Sequence, residues 1–197
     1  MIIDALEKVI TLKIVYYGPA LSGKTTSLIN LFKHFGKQQE VASIESTVNR
    51  TLFFDYGTIS FQNQDWKLKL HLYSTTGQDF YIVTRPITLM GMDGLIFVAD
   101  SQKSAYERNV ISWKELLTYF KEKMSSIPKL IAFNKQDLPD KFNPADFLKE
   151  IQYFKYKNID TRKTIAINGE GILESFEDIL RLVLRDRCKS ELNAVFN

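Results

Sequence analysis

The segment Gly18-Pro19-Ala20-Leu21-Ser22-Gly23-Lys24-Thr25 constrains this chain more than any other. Its spacing, G-x-x-x-x-G-K-[ST], works only in a set context, with a buried strand before it and a helix opening at its end. Both flanks are legible. Val9 to Tyr17 is a run of mostly β-branched and aromatic residues and reads as a buried strand. Thr25 to Phe35 carries Leu28, Ile29, Leu31, Phe32 and Phe35 on a helical stripe, and Gly36 follows as a stop. A loop of this kind turns backbone N–H groups inward on a phosphate, and the helix N-terminus adds its positive end. Gly18, Leu21, Ser22, Gly23, Lys24, Thr25 and Thr26 are therefore the expected phosphate-binding residues. Lys24 is expected on the β- and γ-phosphates, and the Thr25 hydroxyl on Mg²⁺.

The rest of the chain alternates in the same manner. Leu52 to Phe61 and Trp66 to Tyr73 read as two strands around a turn at Asn63-Gln64-Asp65, and Leu95 to Ala99 as a short buried strand. Tyr106 to Met124 reads as a helix with Val110, Trp113, Leu117, Phe120 and Met124 on one side. Leu130 to Phe133 follows as a strand, and Asn143-Pro144 as an N-cap and first helical residue. Thr164 to Ile167 reads as a last short strand, and Ile172, Phe176, Ile179, Leu180 and Val183 mark a last helix; residues 37 to 50 are polar, without a period, and read as loop. This order predicts an α/β fold: a mostly parallel six-stranded sheet with one antiparallel edge strand, helices on both faces, and one domain over residues 1–197.

A second motif, Asn134-Lys135-Gln136-Asp137, follows the strand ending at Phe133. A carboxylate at Asp137 accepts two hydrogen bonds from the N1–H and exocyclic amine of guanine; adenine lacks that donor pair, so the site discriminates strongly. Lys135 can lay its methylene stem along the purine face, and Asn134 can tie this loop to the phosphate loop. GTP or GDP with Mg²⁺ is the expected ligand.

The balance of charge argues against nucleic acid as a partner. There are 26 basic and 23 acidic residues, and Arg181, Arg185, Arg187 and Lys189 are interrupted by Asp186. The single cysteine, Cys188, fits a reducing, cytoplasmic setting. No apolar run approaches 18 residues. Ile2 stands where myristoylation needs glycine, and Cys188 is not in a prenylation box, so no direct membrane anchor is expected. His34 and His71 are not spaced for a metal, and Trp66 and Trp113 sit on apolar stripes as structural residues.

Together these features resemble the Ras-like small GTPases, and within them the MglA-type bacterial polarity and gliding-motility GTPases. The resemblance is carried by KIVYYGPALSGKTT (13–26), RTLFFD (50–55), the HLY and GQ.FY segments (71–81), DGLIFVADS (93–101), NK.DLPD (134–140) and RLVL (181–184). It implies that Thr51 binds Mg²⁺ when a γ-phosphate is present, and that Arg50 is an intrinsic arginine finger. It implies that the Gly77 amide meets the γ-phosphate and that Gln78 orients the attacking water. Ala166 matches the residue whose backbone N–H reads guanine O6. Phe80 and Tyr81 are candidates for a partner surface. By the same resemblance the partners are a roadblock-type (MglB-like) activating protein and a polarity or motility effector, around a monomer or weak dimer.

Two positions depart from the Ras-like pattern. Ser74 stands where D-x-x-G begins with Asp, a change shared by MglA-type proteins, and Asp55 is expected to compensate near the metal. Ala20 occupies the third position of the phosphate loop, where most of these proteins have glycine. Its Cβ crowds the γ-phosphate, which predicts slow hydrolysis. A nucleotide-locked scaffold with negligible turnover, and a P-loop ATPase or kinase, are the competing readings.

Overall fold

Strand β2 (Val9–Tyr17) organises the molecule because its alternate side chains enter two different cores. Leu12, Ile14 and Tyr16 point to one face, and Val15 and Tyr17 to the other. That is the period-2 geometry of a strand buried on both sides. The computed structural model describes residues 1–37, 40–46, 50–63, 65–75 and 85–195, with side chains at 42–53 and 187–195 outside the description.

Within those residues the remaining elements are β1 (Ile2–Asp4), α1 (Lys24–His34), β3 (Ala42–Ser46), β4 (Arg50–Asn63), β5 (Trp66–Thr75), α2 (Arg85–Leu89), β6 (Gly94–Asp100), α3 (Tyr106–Phe120), β7 (Lys129–Asn134), α4 (Pro144–Glu150), β8 (Ile159–Lys163) and α5 (Ile172–Val195). The sheet runs β3-β4-β5-β2-β6-β7-β8, with β1 on β2. β5, β2, β6, β7 and β8 are parallel; β4 is antiparallel to β5, β3 to β4, and β1 to β2. The α/β architecture, the mostly parallel sheet and the antiparallel β4 are as expected, and β1 and β3 extend the six strands. β8 lies at Ile159–Lys163, while Thr164 to Ile167, expected as the last strand, forms the loop beyond it.

One core packs Leu28, Leu31 and Phe32 of α1 and Phe176, Ile179 and Val183 of α5 against the sheet. The other gathers Val110, Trp113 and Leu116 of α3 and Phe147 of α4. α3 is shorter than its apolar stripe suggests. It ends at Phe120, where Lys121 takes φ 48°, and a 3₁₀ turn over Lys121–Ser125 brings Met124 into the core. Asn143 caps α4, its side chain accepting from the Ala145 N–H, with Pro144 at the first helical position. Trp113 is buried as expected, but Trp66 is 40% exposed at the start of β5. His34 is exposed, and His71 stacks on Tyr56, whose hydroxyl lies 2.8 Å from its Nδ1. No helix among the described residues is long and apolar enough to cross a membrane.

Candidate functional site

The strand order reverses at β2, whose neighbours β5 and β6 run in the same direction. In open parallel sheets ligands bind at such a point, beyond the carboxyl ends of the strands. Every described residue of the two sequence motifs lies there.

The phosphate loop leaves β2 at Gly18, where φ is 146° and a Cβ would lie 2.3 Å from the Val98 carbonyl oxygen. Only glycine lets the loop pass this close to β6. The loop closes at Gly23, the N-cap of α1, with φ 101°. A Cβ there would lie 2.2 Å from Asn134 Nδ2. Leu21, at φ 62°, is exposed on the lip, whereas Ser22 is fully buried and its N–H donates to the Pro19 carbonyl at 3.3 Å. Gly23 accepts from both the N–H and the hydroxyl of Ser27, and the Thr26 carbonyl accepts from Asn30, which anchors the first turn of α1.

Lys24 is buried, and its ammonium donates to the carbonyls of Gly18 (2.9 Å) and Pro19 (2.7 Å). Burial, and secondly the Arg85 guanidinium, push its pKa down to about 7, against the opposing field of Asp55. A buried cation of this kind is poised for an anion, whose charge restores the proton's affinity. The Thr25 hydroxyl donates to Asp55 Oδ2 at 2.5 Å. Asp55 is fully buried on β4 and stands directly across the ladder from Ser74 on β5. A hydroxyl and a carboxylate side by side are hard oxygen donors of the sort Mg²⁺ takes. Asp55 thus places a carboxylate beside Thr25 from the strand next to Ser74.

Asn134, at the end of β7, joins three segments. Its Nδ2 donates to the Ser22 carbonyl at 2.8 Å, and its Oδ1 accepts from the Ala166 N–H at 2.9 Å and the Thr164 hydroxyl at 3.2 Å. The Ala166 N–H is therefore engaged by Asn134, so a contact to guanine O6 would share or trade that bond. Asn30 of α1 holds Ala166 from the other side, donating to its carbonyl at 2.7 Å. Lys135, at φ 65°, pairs with Asp100 at 2.6 Å, and Asp137 is exposed on the rim. Asp100 is fixed in turn by Asn109 of α3, which exchanges two hydrogen bonds with its backbone.

Arg50 and Thr51 open β4 opposite Ser46 and Glu45, with their side chains outside the description. Gly77, Gln78, Phe80 and Tyr81 lie outside the described residues. The sequence reading missed Asn30, Asp100, Asn109 and Thr164. Only Asp100 carried a signal, inside DGLIFVADS.

A phosphate loop at the reversal point of a parallel sheet, tied through one asparagine to a base-reading loop, defines the nucleotide-binding domain of the small GTPases. The chain belongs to the ADP-ribosylation factor family, which it matches over residues 2–183. It is 34% identical over 193 residues to the mutual gliding-motility protein MglA of Myxococcus xanthus (strain DK1622), spanning 95% of this chain and 97% of that protein. It is therefore a small GTPase of the Arf/Ras type related to MglA, from a family that binds guanine nucleotides.

Proposed function

We propose that residues 1–197 act as one cytoplasmic GTP-binding switch that hydrolyses bound GTP slowly and presents different surfaces in its GTP and GDP states. Asn134 carries this reading, because it makes the phosphate loop and the base-reading loop one unit. Lys24 holds the β- and γ-phosphates, Asp137 reads the guanine edge, and Ala166 completes the base contact. Thr25 and Asp55, joined later by Thr51, would hold Mg²⁺, which offsets the charge of the phosphates. Gln78 orients water and Arg50 neutralises the transferring phosphoryl group, a contribution of ~10³–10⁵ in rate where such an arginine is engaged. Loss of the γ-phosphate frees the switch segments. The relationship to MglA supports a role in polarity or motility, a roadblock-type (MglB-like) activating protein, and a separate effector.

The test is single-turnover hydrolysis of bound GTP by wild type, Gln78→Leu and Ala20→Gly. Measurable turnover that Gln78→Leu abolishes supports the switch. An inert wild type, revived by Ala20→Gly, replaces it with a nucleotide-locked scaffold, the reading that Ala20 in the loop favours.

A further inference from the structure

The pole opposite the nucleotide motifs gathers positive charge that no role above uses. β7 and β8 begin there, at Lys129 and Ile159, and run in parallel toward the carboxyl ends where both motifs lie. Three segments meet at these strand starts: the 3₁₀ turn Lys121–Ser125, the turn around Tyr153–Lys155, and α5 near Asp186. The Lys157 N–H donates to the Ser125 carbonyl at 3.4 Å. The Asn158 side-chain amide donates to the Ser126 carbonyl at 3.3 Å and to Asp186 Oδ1 at 2.5 Å. The end of α4 joins them, because the Gln152 N–H donates to the Lys149 carbonyl at 3.1 Å.

Tyr156 fixes the middle turn from beneath. Its hydroxyl accepts from Trp113 Nε1 at 3.2 Å, and its ring lies 4.8 Å from the ammonium of the fully buried Lys129. With Tyr156 held inward, Phe154, Lys155 and Lys157 are left exposed, Phe154 by 78%. A single exposed apolar residue is ordinary; a bare phenyl ring set among cations is not. Lys121, Lys123, Lys149, Lys155, Lys157 and Arg185 are all exposed at this pole. None of them is in an ion pair among the described residues. The carboxylates here are Glu122, Asp160 and Asp186, with Glu150 taken up by Lys114 at 3.5 Å. Asp160 and Asp186 already accept from the Thr161 N–H and the Asn158 amide. Six cations against three carboxylates leave an excess as large as the net charge of the whole chain, +3, so the rest of the chain is balanced overall. The sequence hides this grouping because its members come from four separate stretches.

We propose that this pole is a peripheral binding surface for an anionic lipid bilayer. Clusters of ~4–8 basic residues are drawn to anionic headgroups by the surface potential. An exposed ring among them can enter the boundary between headgroups and acyl chains, while lysine stems lie along the same layer with their charges in water. Composition favours a bilayer over a protein. Protein interfaces favour arginine and deplete lysine. Five of the six cations here are lysines, compact charges suited to a diffuse negative potential rather than to paired carboxylates. Docked on this pole, the molecule turns its nucleotide side away from the bilayer and leaves it open to partners. The proposal is independent of the GTP-switch reading, because none of these residues belongs to the nucleotide site.

The experiment is co-sedimentation of the full-length protein with phosphatidylcholine vesicles, with or without about 30% phosphatidylserine, at about 0.1 M and about 0.5 M salt. Lys155→Glu/Lys157→Glu reverses two charges beside the ring, and Phe154→Ser removes the ring. Arg108→Glu/Lys163→Glu makes the same change in net charge at exposed sites on the nucleotide side, in the first turn of α3 and at the end of β8. Circular dichroism confirms that each variant is folded. Wild type should sediment with the serine-containing vesicles at low salt, and neither with phosphatidylcholine alone nor at high salt. Its partition coefficient should fall about thirtyfold or more in the first variant and about tenfold in the second, and stay within about threefold in the third. Binding should be equal with GDP or a GTP analogue bound. A wild type that stays in the supernatant at low salt overturns the proposal and leaves the lysines to an acidic protein partner. A loss in the third variant as large as in the first also overturns it, by marking a response to net charge alone. Binding confined to one nucleotide state would place the lipid surface on the switch side and overturn it as well.

Discussion

Replacing Asn134 by alanine should speed GDP release far more than a single lost side-chain contact would suggest. The amide makes three hydrogen bonds, to the Ser22 carbonyl, the Ala166 N–H and the Thr164 hydroxyl. All three partners belong to residues no more than 3% exposed. Water cannot readily replace Asn134, so each stranded group carries a desolvation penalty of ~1–3 kcal/mol. The Thr164 hydroxyl can rotate to another acceptor, which leaves two backbone groups and a total of about 2–6 kcal/mol. Much of that strain is relieved if the loops separate, and separation is also the route by which nucleotide leaves. A penalty of this size corresponds to roughly thirtyfold to ten-thousandfold in an equilibrium or rate ratio. Stopped-flow release of a fluorescent GDP into excess unlabelled GDP measures it directly. Asn134→Asp is the control, because it keeps both acceptor contacts and replaces the donor facing the Ser22 carbonyl with a repelling oxygen. A release rate for Asn134→Ala within threefold of wild type would refute the reasoning that the three segments act as one unit.

Two further outcomes follow from the geometry. With the Lys24 pKa depressed to about 7 against 10.5 in the unfolded chain, the unfolded state binds more protons between those values, so stability of the nucleotide-free protein rises with pH across that window. Nucleotide binding restores the charge, so GDP should take up a substantial fraction of a proton at pH 8 and little at pH 6; calorimetry in buffers of different ionisation enthalpy checks this, and zero uptake at pH 8 contradicts it. Phe147 is fully buried amid the rings of Phe97, Tyr106, Trp113, Phe133 and Phe142, so Phe147→Ala should cost about 3–5 kcal/mol and lower the melting temperature by roughly 10 °C, read by thermal denaturation.

The sequence discloses most where one local rule decides the outcome, and least where a partner distant in the chain does. The phosphate loop is legible because its glycines, lysine and flanking periods agree, and Gly18 and Gly23 take positive φ where a Cβ would collide with Val98 and Asn134. β8 is illegible for the opposite reason. Ile159-Asp160-Thr161-Arg162-Lys163 is polar and half-exposed on a sheet edge, whereas Thr-Ile-Ala-Ile just after it looks like a strand but serves as a loop held by Asn134 and Asn30. β3 is concealed by its polar composition, Ala42-Ser43-Ile44-Glu45-Ser46. The Arg85–Glu115 pair spans 30 positions and cannot be seen until α2 is laid against α3. Asp100 sat inside a recognised segment, yet its role appears only when the ladder puts it beside Asn134 and within reach of Lys135.

The exchange of a carboxylate between Ser74 and Asp55 is open to a reciprocal test. The two residues are direct cross-strand partners on β5 and β4, so their side chains leave the same face of the sheet with Cβ atoms about 4.5–5.5 Å apart. Both are fully buried, and the Ser74 hydroxyl has no hydrogen-bond partner among the described residues. Either position can therefore deliver a carboxylate to nearly the same point beside Thr25. Asp55→Ser should weaken that point by the worth of a charged hydrogen bond, ~1.5–3 kcal/mol, and raise the Mg²⁺ concentration needed to retain GDP at least tenfold. Adding Ser74→Asp in the same molecule should bring the requirement back to within threefold of wild type, because net charge, burial and distance to Thr25 are all nearly restored. The assay is GDP dissociation across a titration of free Mg²⁺, with circular dichroism to confirm that each variant is folded. A folded double variant as defective as Asp55→Ser alone would mean that the metal reads the strand from which the carboxylate comes. The two positions would then not be interchangeable, and Asp55 would owe its role to its own place on β4 rather than to the gap left at Ser74.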